Sequence, residues 1–142
     1  LFLILILMGI TGCEQKYSGK KSPEAINGSM DLSDWDFEKD CVVRLDGKWE
    51  FYWNELLEPS HFDGDYLPVK TGLINLPDVW NGYIVNGKKL SGNGYATFKL
   101  ALKLKEYEDL KALKVVEMFT AYKLWVDNKL VAYNGVVGKI KD

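Results

Sequence analysis

Between residues 95 and 104 the apolar side chains fall on every second position, with Phe98, Leu100, Leu102 and Leu104 on one side and Thr97, Lys99 and Lys103 on the other. A repeat of two belongs to an extended strand with one face in a core and one toward water. It cannot be laid on a helix, whose faces recur about every 3.6 residues. A second run, Lys48-Trp49-Glu50-Phe51-Tyr52-Trp53, alternates in the same way and places Trp49, Phe51 and Trp53 on a core face. No segment sustains helical periodicity, so the fold is predicted to be all-β.

Turn-forming residues divide the remaining chain into short extended pieces. Asp31 to Asp36 reads as a turn followed by a short extended lead-in, because Ser and Asp side chains bond their own backbone and oppose regular structure. Residues 54–57 suit one helical turn before Pro59, and the Gly, Pro and Asp content of residues 60–72 marks a long loop. Leu73-Ile74-Asn75-Leu76 is a strand ended by Pro77, and residues 81–93, with three glycines, form a second shaped loop. Residues 106–110 are a charged connection, and residues 112–118 a strand with Leu113 and Val115 inward. Asp127-Asn128, flanked by Tyr122-Lys123-Leu124-Trp125-Val126 and Leu130-Val131-Ala132-Tyr133, predicts a hairpin. Strands at this spacing predict an antiparallel β-sandwich.

The front of the chain is not part of that fold. An apolar run from Leu1 to Met8 leads through Gly9 into Ile10-Thr11-Gly12-Cys13 and turns polar at Glu14. Eight to twelve apolar residues are too few for the roughly 20 of a membrane-spanning helix and suit the core of an export signal. The residues before Cys13 resemble a bacterial lipobox, which implies that Cys13 becomes the lipidated first residue of the mature protein. A plain signal peptide with an incidental cysteine, or a membrane helix begun ahead of Leu1, are the alternatives. With neither an initiator methionine nor a basic segment before Leu1, the chain is expected to begin inside a longer one. Residues 1–13 are thus read as signal, 14–30 as a flexible polar tether, and 31–142 as one domain.

Composition excludes more than it identifies. A formal net charge of −2 with interspersed signs gives no basic face for nucleic acid. Of two cysteines one lies in the lipobox, so Cys41 has no partner for a disulfide or a cysteine metal site within the chain. Five Trp and eight Tyr either fill the core or line a binding face.

Three blocks in order resemble the sugar-binding jelly-roll domain at the front of β-galactosidases and β-glucuronidases: Leu45-Asp46-Gly47-Lys48-Trp49-Glu50-Phe51, Leu76-Pro77-Asp78-Val79-Trp80 and Gly94-Tyr95-Ala96-Thr97-Phe98. A fourth, Leu124-Trp125-Val126-Asp127-Asn128-Lys129-Leu130-Val131, stands where those domains have a V-W-V-N-G-K-type hairpin, with Asn128 in place of the usual Gly. The lead-in Asp31-Leu32-Ser33-Asp34-Trp35-Asp36-Phe37 and the export leader bring the chain closer to another group. It resembles the extracytoplasmic sensor region of bacterial seven-transmembrane receptors with diverse intracellular signalling modules. That resemblance implies a galactose-binding-like jelly roll, closing strands and membrane helices after Asp142, and a non-catalytic ligand-sensing role.

Catalytic constellations are sparse. Glycoside hydrolysis needs two carboxylates across a sugar ring, and the pairs Asp34 with Asp36 and Asp63 with Asp65 sit two apart in turns, where backbone capping is their ordinary use. Asp34 and Asp36 are also weak candidates for a Ca²⁺ site built with loop carbonyls. His61 is a lone loop histidine, and Gly92-Asn93-Gly94 feeds a strand instead of a phosphate-binding helix. Sugars stack on Trp and Tyr with polar groups nearby, so Trp80, Asn81, Tyr83 and Trp125 are the candidate ligand contacts, against the simpler reading of Trp80 and Trp125 as core. The expectation is a non-enzymatic, cofactor-free carbohydrate-binding or sensing module outside the cytoplasm, held to a membrane by lipid on Cys13, by transmembrane helices, or both. The alternative is the non-catalytic front domain of a secreted glycoside hydrolase.

Overall fold

Residues 19–105, 112–116 and 118–139 are described in this computed structural model, so the leader, Cys13 and the 106–110 connection lie outside the described residues. Nine strands follow in chain order among the described residues: β1 (Ser29–Leu32), β2 (Gly47–Trp53), β3 (Gly72–Leu76), β4 (Ile84–Val85), β5 (Lys88–Lys89), β6 (Ala96–Lys99), β7 (Ala101–Leu104), β8 (Tyr122–Val126) and β9 (Lys129–Asn134). A single 3-10 turn, Pro59–Phe62, is the one helical element among the described residues. The all-β class predicted from the alternation holds.

Strand β2 is central because both of its edges are paired. It runs antiparallel to β3 through Trp49↔Ile74 and to β6 through Glu50↔Lys99 and Phe51↔Phe98, giving the order β3-β2-β6. The face predicted for the core is the core face: Phe51 and Ile74 are fully buried, with Leu90 closing over them and Trp53, Trp80, Tyr83 and Phe98 packed around the rim. The Phe51 ring lies 5.4 Å from Phe98, 6.0 Å from Trp53 and 6.1 Å, edge-on, from Tyr83. Burying a side chain of this size contributes about 1.5–3 kcal/mol relative to exposure. Gly94 lies flat against the same cluster, and a Cβ there would come within 2.1 Å of the Trp53 ring.

The strand expected over residues 95–104 is broken at Leu100. Its first half, β6, belongs to the three-stranded sheet, and its second half, β7, pairs in parallel with β1 from Ser29↔Ala101 to Leu32↔Leu104. Leu100 packs on a second cluster of Ala25, Met30, Leu32 and Trp35, which Val43, Leu45 and Trp49 extend. Leu102 and Leu104, expected inside, are instead 41% and 40% exposed. Alternation reports that one face is apolar; it does not supply the element that covers it. The second cluster also draws in residues read as tether. Ala25 is buried and exchanges backbone hydrogen bonds with Asp46 and Lys48, both at 2.8 Å. Gly47 permits this approach, since at φ +118° its added Cβ would meet the Ala25 nitrogen at 2.5 Å.

Three two-residue turns share one device. Asn27-Gly28, Asn86-Gly87 and Asp127-Asn128 all have positive φ at both positions, the type I′ geometry whose twist suits a hairpin. The third joins β8 to β9 as predicted, with Val131 the extra residue of a bulge, because Leu124 faces Ala132 while Trp125 faces Leu130. The second joins β4 to β5 inside the segment read as a loop. Residues 112–116 form no strand, and Leu113 is half exposed, contrary to the expectation for 112–118. The helical turn expected at residues 54–57 falls five residues later, at Pro59–Phe62, where the fixed φ of Pro59 favours the first position.

Candidate functional site

On the outer face of the three-stranded sheet, opposite the Phe51 core, the polar half of the β2 alternation builds a shallow concavity of about 270 Å³. Glu50 and Tyr52 project there from β2, and the register sets Lys99 of β6 directly beside Glu50. The 3-10 turn and the loop after it fold over this face and bring Phe62 and Lys70 respectively to the rim. Leu67 and Pro68 complete the apolar wall.

Glu50 is the hub. Its Oε1 accepts Lys70 Nζ at 3.2 Å, and its Oε2 accepts Lys99 Nζ at 2.9 Å and the Tyr52 hydroxyl at 2.9 Å. Its stem rests on Gly28, where a Cβ would fall 2.3 Å from Glu50 Cγ, so the Asn27-Gly28 turn fixes the carboxylate from behind. Partial burial works against the charged form, but the donors from Lys99, Tyr52 and Lys70 outweigh it and hold the Glu50 carboxyl below its usual pKa. Burial and the adjoining carboxylate push the Tyr52 phenol well above its usual value. The Tyr52 ring meets Phe62 edge-to-face at 5.5 Å, and Lys99 Nζ stands 5.1 Å over the Phe62 ring. What the group offers is an ordered array of donors beside apolar carbon.

The residues singled out from sequence lie elsewhere. Trp80 is half-buried, stacked on Phe98 at 6.0 Å and edge-on to Trp53 at 5.8 Å. Tyr83 packs on Phe51, and its hydroxyl donates to the Leu73 carbonyl, while Asn81 beside them is exposed. Trp125 sits on the β8–β9 hairpin and makes no ring contact among the described residues. The structure therefore gathers Trp80 and Tyr83 as rim of the core and does not bring Trp125 to them.

The Asp36 carboxylate acts locally. Asp36 Oδ1 accepts the amides of Glu38 and Lys39, its Oδ2 takes the Lys39 ammonium at 2.7 Å, and the Lys39 contact leads in holding its pKa down. Asp34 presents its carbonyl to Lys20 at 2.8 Å. No group of three or more His, Cys, Asp or Glu side chains among the described residues is placed to hold a metal. His61 Nδ1 accepts the Glu58 amide at 3.0 Å and closes its own turn. A second concavity, about 450 Å³, lies against the hairpin, with Leu113, Val115, Tyr122, Leu124 and Val126 among its walls.

Sequence reasoning had assigned Glu50, Tyr52 and Lys99 only to the polar sides of strands. Their i, i+2 spacing on β2 was a usable signal, whereas Phe62 and Lys70 reach the same place only through loop folding. Compared with known proteins, the chain matches no family model, no curated protein and no solved structure.

Proposed function

We propose that this chain is a non-catalytic, extracytoplasmic ligand-binding module of a membrane-associated bacterial signalling protein, built on a galactose-binding-like jelly roll and binding a carbohydrate. The single observation that supports it is the concavity on the outer sheet face, where Phe62, packed on the buried Tyr52 ring, stands beside Glu50, Lys70 and Lys99. Aromatic carbon for the C–H face of a sugar, next to charged donors and an acceptor for its hydroxyls, is the mixture such ligands require. At about 270 Å³ the space lies just under the roughly 300–1,000 Å³ of pockets for drug-sized molecules, which suits one sugar ring. Ligand binding would act by favouring one of two conformations of the domain. The export leader and Cys13 supply the placement outside the cytoplasm, with lipid on Cys13 one of two anchors, since one acyl chain holds a protein at a membrane only marginally.

Thermal denaturation of the full chain against a panel of neutral and acidic monosaccharides tests the binding role. At least one sugar should raise the midpoint, and Phe62→Ala should remove that shift while leaving the unliganded protein folded. A panel with no effect on the midpoint sinks the carbohydrate reading. Lipidation is tested separately: Cys13→Ser should abolish metabolic labelling with palmitate, and unchanged labelling would place the acyl group elsewhere.

A further inference from the structure

We infer that the concavity of Glu50, Lys70 and Lys99 selects an anionic ligand, a small ring bearing a carboxylate that bridges the two lysines with its apolar face on Phe62 and Pro68. This inference rests on the proposed ligand site and goes further in assigning its charge. Glu50 requires one positive charge for neutrality, and the lining supplies two. The lysines sit on opposite oxygens of that carboxylate, Lys70 on Oε1 and Lys99 on Oε2, so Glu50 acts as a spacer that holds two ammonium groups apart. Each ammonium carries three donors and gives one to Glu50. Both lysines are partly exposed beside the concavity, and Lys99 Nζ stands over the Phe62 ring that lines it.

Tyr52 cannot balance the surplus, because its hydroxyl already donates to Glu50. Glu55 makes its charge felt at Tyr52 but does not line the space. The apolar wall of Phe62, Leu67 and Pro68 limits water on one side, which strengthens an ion pair formed there relative to bulk solvent. The chain as a whole carries a net charge of −2, so attraction for an anion is a property of this spot and not of the overall field.

The test is calorimetric titration of the full chain with glucuronate, glucose and benzoate as probes. Glucuronate should bind at least about tenfold more tightly than glucose, the value of one charge-assisted contact pair, and its affinity should fall as NaCl is raised from 50 to 500 mM. Lys70→Met and Lys99→Met should each weaken glucuronate by about five- to tenfold, with Lys70→Arg and Lys99→Arg retaining binding as evidence of an intact site. Equal affinity for glucose and glucuronate would overturn the anionic assignment while leaving a sugar site standing. Benzoate bound with lysine dependence, and neither sugar bound, would uphold the anion site and remove the carbohydrate reading. Absence of binding by all three probes would overturn both.

Discussion

Glu50 shows how one residue can be both structural and poised for binding. Its folded-state pKa is depressed, so the stability it contributes is fully present above the ordinary glutamate value of 4.5 and is lost as pH falls through the lower folded value. Asp31, Asp36 and Asp40 shift in the same direction through contacts with Ser33, Lys39 and Lys20, and they deepen the same acid limb, Asp31 from an exposed position and Asp36 and Asp40 from partly buried ones. Glu50→Gln should therefore cost about 1–2 kcal/mol at pH 7 and progressively less toward pH 3, read from urea midpoints at the two pH values. Glycines separate a second pair of effects. Gly87→Ala, with open space around the new Cβ but φ +75°, should cost about 1 kcal/mol from backbone conformation alone. Gly94→Ala meets no positive φ but collides with the Trp53 ring, and overpacking of this kind costs about 1–3 kcal/mol. Thermal melts of the two variants, with the Trp53 ring followed by near-ultraviolet circular dichroism, would show a changed aromatic signal only for Gly94→Ala. Legibility at this scale was uneven: the burial of Phe51 could be read from its alternating neighbours, while the contact between Gly94 and Trp53 joins positions with no local pattern between them.

Elements were legible in proportion to how locally they are determined. β2, β3 and the β8–β9 hairpin follow from alternation and turn chemistry, which act over a few residues. The β4–β5 hairpin was equally local, since Val85-Asn86-Gly87-Lys88 holds the Asn-Gly pair that type I′ turns favour, but its strands of two residues each carry no alternation to notice. Asn128 stands at φ +65° where Gly would be free of strain, so Asn128→Gly should stabilise the β8–β9 hairpin by about 0.5 kcal/mol, visible as a small rise in melting temperature. An unchanged or lowered temperature would mean that the Asn128 side chain contributes more than its backbone strain removes. The split of residues 95–104 into β6 and β7 had no local mark, because Leu100 continues the alternation while the chain changes partner from β2 to β1.

At the scale of the whole molecule, two apolar clusters share β2, with Trp49 packed on one and Phe51 on the other. Phe51→Ala should cost about 3–5 kcal/mol, as for other large aromatic truncations in a core, and should lower the unfolding midpoint of the described domain by chemical denaturation. Amide exchange should be slowest along β2, which is paired on both edges, and faster in β8–β9, which among the described residues pair only with each other and carry the exposed Lys123–Glu58 ion pair at 3.2 Å. Uniform exchange across both sheets would contradict that ordering. What the sequence determined by itself was the all-β class, the core face of β2 and the Asp127-Asn128 hairpin, because side-chain period and turn residues act through immediate neighbours. Only the tertiary structure decided that Ala25 and Met30 join the core, that Leu102 and Leu104 stay half exposed, and that Glu50, Phe62, Lys70 and Lys99 meet. Each of these depends on which distant segment lies opposite, and the energy of such contacts is not encoded in the spacing of residues along a single strand.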